Sequence, residues 1–204
     1  MNKTAKLLKR AAALVAAVAL IFTFSSCGRK YDDDEIIAAA AELIEASYEI
    51  NTIFFGEGLP TVDGAEDDIM KYREIAEDSP YHTKNEIKNA ALEVYTAGYC
   101  EILFEKAFSG ISVEMGDGSE VEEAAIVDAR YVDYDGRMVM LPPKEGDVML
   151  LNRTYDTSSI KVVMKKSSRA DVSVASFVDG EPAGDVVLTV IMTENGWRLE
   201  DPTY

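Results

Sequence analysis

Apolar residues recur at helical spacing through the first half of the chain and alternate with polar ones through the second, with the change near residue 110. Ile36, Ala40, Leu43, Ile44, Tyr48 and Ile50 fall on one face of a first helix. Asp32, three positions before Glu35, opens it, and Gly56, Gly58 and Pro60 stop it after Phe55. Ile69, Tyr72 and Ile75 mark a weaker second helix from Glu66 to Ala76, broken by Asp78-Ser79-Pro80. Thr83 and Glu86 stand at capping-box spacing and open a third, longer helix that ends near Phe108 and Gly110. Its apolar set (Ile87, Ala91, Val94, Tyr95, Tyr99, Ile102, Leu103 and Phe108) is wide enough for a helix lying across a curved sheet.

Beyond that point residues 124–134 and 137–141 flank Asp135-Gly136, a two-residue hairpin signal. Residues 160–165, 170–178 and 185–194 are rich in Val, Ile and Thr and read as further strands. Asn195-Gly196 turns the last of them back into Trp197-Arg198-Leu199. Alternation places Trp197 and Leu199 on the core face, with Arg198 and Glu200 toward water. It likewise puts Asp128 and Arg130 on one face of their strand, and Ala129, Tyr131 and Asp133 on the other. The fold class is therefore α+β, with three N-terminal helices packed on a strongly curved antiparallel sheet.

This order of elements resembles the NTF2-like (SnoaL-like) superfamily, in the form found in exported lipoproteins of Gram-positive gut bacteria. The helical first half, Ala129-Arg130-Tyr131 with its Asp135-Gly136 turn, and the closing Asn195-Gly196-Trp197-Arg198-Leu199 hairpin carry the resemblance, over most of residues 35–204. It implies a cone made by a bent sheet and closed by helices, a shape that enzymes and non-catalytic binders both use. A weaker resemblance is to lipoprotein-type or secreted inhibitors of cell-wall endopeptidases.

The start of the chain changes the picture of where this domain sits. Lys3, Lys6, Lys9 and Arg10 form a basic region ahead of the apolar stretch Ala11–Phe24, which is short for a membrane span. Phe24-Ser25-Ser26-Cys27 resembles the lipobox of bacterial lipoproteins, with Phe24 where Leu, Val or Ile is preferred. The resemblance implies a signal peptide at residues 1–26 and a diacylglycerol on the Cys27 thiol. Residues 27–34 then form a short tether to a domain at 35–204. The alternatives are an ordinary secretory signal with an incidental cysteine, or an uncleaved anchor helix. Two acyl chains hold a domain stably at a bilayer, so the membrane is the expected first partner.

Composition then removes whole classes of function. The chain has 204 residues and a net charge of −17, from 20 basic and 37 acidic side chains. Loss of the basic leader would make the remainder more acidic still. A body of that charge repels phosphate backbones and bare anionic membranes, which excludes nucleic acid as a partner and sets the domain close to the membrane face but away from the lipid. Apolar residues at 48% and charged residues at 28% match a globular chain. Two cysteines and one histidine give no disulfide framework, zinc finger or His-rich metal site, and no cofactor is called for.

Candidate chemistry is sparse. His82 sits at a helix start and reads as a solvated cap residue, and Cys100 reads as a buried structural thiol. Asp133, Asp135 and Gly136 imitate part of a calcium loop, but the first ligand position is Tyr131 and the closing glutamate position is Pro142, so the match fails. Asp63, Glu66, Asp67 and Asp68 read as charges at a helix start. The superfamily's enzymes place an Asp or His inside the cone as general base, with Tyr or protonated Asp as donor. Asp128 and Asp133 are the strand carboxylates here, yet spacing singles out no base, so no catalytic residue is assigned. Tyr95, Tyr99, Arg130, Tyr131, Arg153, Tyr155 and Trp197 remain as candidate ligand-binding residues, with Phe108 and Phe177 among the same aromatics; core filling is the alternative role for the rings. Three functions follow as expectations: a non-catalytic binding or interaction module for a small apolar ligand or a cell-envelope protein, an inhibitor or scaffold of cell-wall hydrolases, or a SnoaL-like small-molecule enzyme.

Overall fold

The Asp32 carboxylate accepts the Glu35 N–H at 2.7 Å and opens the first helix, α1 (Asp33–Phe55). Asp33, Asp34 and Glu35 occupy its first turn, where negative charge complements the helix dipole. The computed structural model describes residues 31–62, 72–109, 111–113, 125–127, 129–143 and 152–204. Tyr31–Tyr204 cluster as one unit. The leader, the lipobox with Cys27, and Asp128 lie outside the described residues. The apolar stripe of α1 is buried as expected, and Ser47 and Asn51 are buried on the same face.

The second helix does not form where it can be seen. Residues 66–71 lie outside the described part, and the chain after them is extended: β1 (Arg73–Glu74) pairs with a later strand, and Ile75 bridges to Thr61. Val62 donates to the Glu74 carbonyl and Ala76 to the Pro60 carbonyl, each at 2.9 Å. Pairing with the segment that leaves α1 overrides a weak helical periodicity, as long-range contacts commonly do.

The expected long third helix is two helices, α2 (Lys84–Val94) and α3 (Ala97–Phe108). The Thr83–Glu86 capping box is present at the start of α2. At Tyr95 the backbone turns extended, and Thr96 becomes the N-cap of α3, its side chain taking the Tyr99 N–H. The break is held from outside: the Thr96 N–H donates to the Leu199 carbonyl at 2.8 Å, and Tyr95 bridges Leu199 in parallel. Three helices thus occur among the described residues, but by a different division of the chain from the expected one.

Among the described residues all the strand ladders are antiparallel. The expected strand over 124–134 is two strands in different sheets. β2 (Ile111–Val113) pairs with β3 (Ala125–Val127), while β4 (Tyr131–Tyr134) pairs with β5 (Arg137–Met140) through the Asp135-Gly136 turn. β1 lies on the far side of β5, giving the order β1-β5-β4. The main sheet runs β6 (Arg153–Lys165), β7 (Arg169–Val178), β8 (Glu181–Thr193), β9 (Gly196–Leu199) in that order.

β6 starts seven residues earlier than the expected 160, and two register shifts interrupt its pairing with β7, the kind of irregularity that bends a strand. Ala170, Val172, Val174, Leu188, Val190, Trp197 and Leu199 point from this sheet into the core. The helix α1 packs across β6, β7 and β9. The result is an α+β domain with antiparallel sheets.

Candidate functional site

Two buried polar residues one turn apart on α1 are the seed of the most concentrated chemistry in the domain. Ser47 donates to the Ile44 carbonyl at 2.6 Å, and Asn51 donates from Nδ2 to Thr203 Oγ1 at 2.8 Å. Thr203 passes its proton to Ser47 Oγ at 2.6 Å. The helix break places Tyr95 over the same spot, where its hydroxyl donates to Asn51 Oδ1 at 2.8 Å and lies 3.0 Å from Thr203 Oγ1. Tyr155, on β6, closes the set by donating to the Thr203 carbonyl at 3.1 Å. Tyr48 accepts the Tyr155 N–H at 3.1 Å. Ser47, Asn51, Tyr95 and Thr203 are all 3% exposed or less, and each has a hydrogen-bond partner.

The electrostatics follow from burial. Desolvation pushes the Tyr95 hydroxyl up to about 12, against the opposing pull of its bonds to Thr203, Ser47 and Asn51. The Tyr99 ring lies tilted at 47° against Tyr95 with ring centroids 4.8 Å apart, and its hydroxyl is buried. Burial pushes that hydroxyl up as well, with Tyr204 and Tyr95 adding to the effect. The cluster stays neutral through the physiological range. Its bonds hold Thr203 against α1.

A second group gathers at the end of α1. Arg130 donates from Nη1 to the Phe54 carbonyl at 3.3 Å and from Nη2 to the Gly56 carbonyl, while Tyr131 donates its hydroxyl to the Ile53 carbonyl at 2.9 Å. These carbonyls have no partner within a helix, and a cation is favourable at this end of the dipole. Gly58 comes next with φ +87°, and Leu59 donates its N–H to Met140 Sδ at 3.3 Å. Burial pushes the Tyr131 hydroxyl up to about 12, with Arg130 pulling the other way.

The other two candidates, Arg153 and Trp197, have contacts of their own as well. Arg153 donates to Ser176 Oγ at 3.1 Å, which itself donates to the Gly184 carbonyl at 2.8 Å. Trp197 is 7% exposed, meets the edge of Tyr31 at 5.1 Å, and keeps its Nε1 buried without a partner. Of the seven candidates, Tyr95, Tyr99 and Tyr155 come together with Arg153 close enough to act on the Tyr155 hydroxyl, Arg130 and Tyr131 form the helix collar, and Trp197 stands separately.

Ser47, Asn51 and Thr203 were not legible as candidates. The one local signal was a pair of polar residues four apart on an otherwise apolar helix face. His82 is exposed at the start of α2, its N–H donating to Glu86 Oε2 at 2.7 Å. Asp133 pairs with Lys84 at 3.1 Å. Cys100 is buried, and desolvation raises its thiol to about 12, which suits a structural residue.

Among the described residues no three His, Cys, Asp or Glu side chains gather as metal ligands, and no helix is long and apolar enough to cross a membrane. No family model and no curated protein matches the chain.

Proposed function

We propose that the chain is a lipoprotein tethered to the outer face of the cell membrane by a diacylglycerol on Cys27, and that its body is a non-catalytic binding or interaction module at the cell envelope. The observation that carries the non-catalytic half is where the polar atoms go. Tyr131, Tyr155 and Arg130 all donate to main-chain carbonyls of this chain, and Tyr95 donates to Asn51. These side chains are committed to the chain's own framework, and Tyr99 and Trp197 keep their polar atoms buried, which leaves recognition to the exterior. The anchor half rests on Phe24-Ser25-Ser26-Cys27 and the basic and apolar stretches before it.

An NTF2-like cone is the fold we assign to this module. The helix-then-strand order, the antiparallel ladders and the interrupted pairing of β6 support it. One observation favours a scaffold or inhibitor of cell-wall enzymes as the more specific form of the function. The β7–β8 turn presents Asp179, Glu181 and Asp185 exposed together, with Val187 57% exposed further along β8. An acidic, partly apolar turn suits a partner with a basic rim around an apolar centre.

Cys27→Ala tests the anchor. The wild-type chain should partition into detergent and carry the mass of a lipid on a processed N-terminus, and the variant should do neither. A variant that partitions as the wild type does, with the same processed mass, overturns the proposal. For the interaction half, the domain should co-purify with a cell-envelope protein in a manner lost on Glu181→Lys with Asp185→Lys.

A further inference from the structure

The main sheet is electrically polarised along its strands. The β6–β7 hairpin, Ile160–Arg169, holds Lys161, Lys165, Lys166 and Arg169 and no acidic residue, in a chain whose net charge is −17. The β7–β8 turn at the other end of the same strands holds Asp179, Glu181 and Asp185. Antiparallel register fixes the two at opposite ends, since Arg169 pairs with Ile191 at one end of the β7–β8 ladder and Val178 with Glu181 at the other.

The basic end is also where the described chain begins. Lys165 reaches past its own strand to donate to the Tyr31 carbonyl at 3.2 Å and to pair with Asp33. Tyr31 is held a second time by its edge contact with Trp197 on β9. From Cys27 to Tyr31 there are four residue steps, which span about 14 Å at most when extended. A lipid on Cys27 therefore keeps this end of the sheet near the bilayer.

We propose that the tip of the β6–β7 hairpin docks on the anionic lipid surface beside the tether and fixes the orientation of the domain. The proposal rests on lipidation of Cys27. Val163 is 56% exposed and Met164 43% exposed, two apolar side chains flanked by Lys161 and by Lys165 and Lys166. Aliphatic residues entering the headgroup layer between lysines is the pattern that interfacial segments use.

Ion pairs take up charges of both signs at this end, Asp33 with Lys165 and Asp171 and Glu200 with Arg169, so Lys161 and Lys166 are the basic side chains that meet the lipid, while Asp32 at the α1 cap keeps its charge. Asp34 and Glu35 in the first turn of α1 and Glu194 at the β8–β9 turn also belong to it, and oppose the contact. The net negative charge repels the body from anionic lipid as a whole and the acidic β7–β8 turn most, so the orientation with the hairpin toward the lipid is the least repelled. Lysines and irregular pairing also deter edge-to-edge association of an outer strand such as β6, but that role does not depend on lipid.

The test uses the full lipidated chain in vesicles, with an environment-sensitive dye on Val163→Cys or, at the opposite turn, Ala183→Cys. The native Cys100 is buried and does not compete for the dye. Brominated phosphatidylglycerol should quench the dye at 163 and leave the dye at 183 unaffected, and brominated phosphatidylcholine, which is neutral, should abolish the difference. Lys161→Gln and Lys166→Gln should each lower the docked-to-undocked ratio about fivefold. A lipidated chain in which both dyes or neither are quenched overturns the hairpin contact alone, as does equal quenching of the dye at 163 on neutral vesicles. A chain without lipid on Cys27, read by mass and detergent partition, overturns the anchor and the hairpin contact together.

Discussion

Tyr95 gives its phenolic proton to the side-chain oxygen of Asn51, 2.8 Å away and 44 positions earlier in the chain. The bond forms because the helix breaks at Tyr95, and the break in turn rests on the Thr96–Leu199 hydrogen bond. Tyr95→Phe should leave Asn51 Oδ1 buried without that donor and cost about 1–3 kcal/mol. Urea unfolding reads this directly. Tyr95→Phe combined with Asn51→Leu should cost less than the sum of the two single changes, and strict additivity would mean that the pair is not coupled.

Two glycines should respond in opposite directions to the same change. Gly58 has φ +87°, and a Cβ there would press on Met140 Sδ and lie 2.9 Å from Arg130 Nη2. Gly58→Ala should cost about 1–3 kcal/mol from the backbone alone, and more once the Arg130 collar shifts. Gly98, in the first turn of α3, has nothing within 4 Å of the same added atom. Gly98→Ala should stabilise by about 0.4–1 kcal/mol. Thermal unfolding of the two variants side by side would expose an error in either sign.

Alkali should unfold the domain through its buried tyrosines. Tyr95 and Tyr131 ionise near 10 in an unfolded chain and at about 12 in the folded one, chiefly because burial disfavours the phenolate. The folded state therefore holds more protons in this window. Its stability from these groups is fully present below pH 10 and falls as pH rises from about 10 toward 12. Tyrosinate absorbance should lag behind a free-tyrosine curve, then rise together with loss of the circular dichroism signal. Full titration near pH 10 with the fold intact would show that these hydroxyls are not buried.

The single tryptophan reports on the closing strand. Trp197 is 7% exposed against Tyr31, so its emission should be blue-shifted in the native domain and move to the red on denaturation. Trp197→Ala should cost roughly 3–5 kcal/mol. Trp197→Phe should cost less, because it keeps most of the ring and removes an indole N–H that is buried without a partner.

The elements that the sequence makes plain are those whose signals are local. Asp32 with Glu35 and Thr83 with Glu86 carry the start of a helix within four residues, and both caps are present. The turn expected at Asn195-Gly196 falls one residue earlier, on Glu194-Asn195, with Gly196 already paired to Thr193 at the start of β9, whereas Asp135-Gly136 carries its turn in two residues. Asp179-Gly180 is the same kind of turn, with φ of +53° and +83°. Its dipeptide is as plain as the others, but the strand beyond it begins at Glu181, ahead of the apolar residues that mark a strand from 185.

The features that stayed hidden depend on partners far along the chain. Nothing near Tyr95 says that Leu199 will take the Thr96 N–H, and nothing near Arg73 says that Met140 will lie opposite. The candidate site divided in the same way. Aromatic residues could be picked out by type, but their roles were set by Ser47, Asn51 and Thr203, which have no chemistry that marks them in isolation.

The stitching of Thr203 to α1 also sets the order of events in folding. Its bonds to Ser47 and Asn51 close loops of 156 and 152 positions, so a ribosome must have passed residue 203 before they can form. Helix α1 can form early, but its two buried polar side chains have no fold-wide partners until then, and contacts of such long range form slowly. Closure therefore comes late, only after residue 203 has been made. For a chain that crosses the membrane unfolded, as an exported lipoprotein would, that delay keeps it threadable until the whole domain has passed.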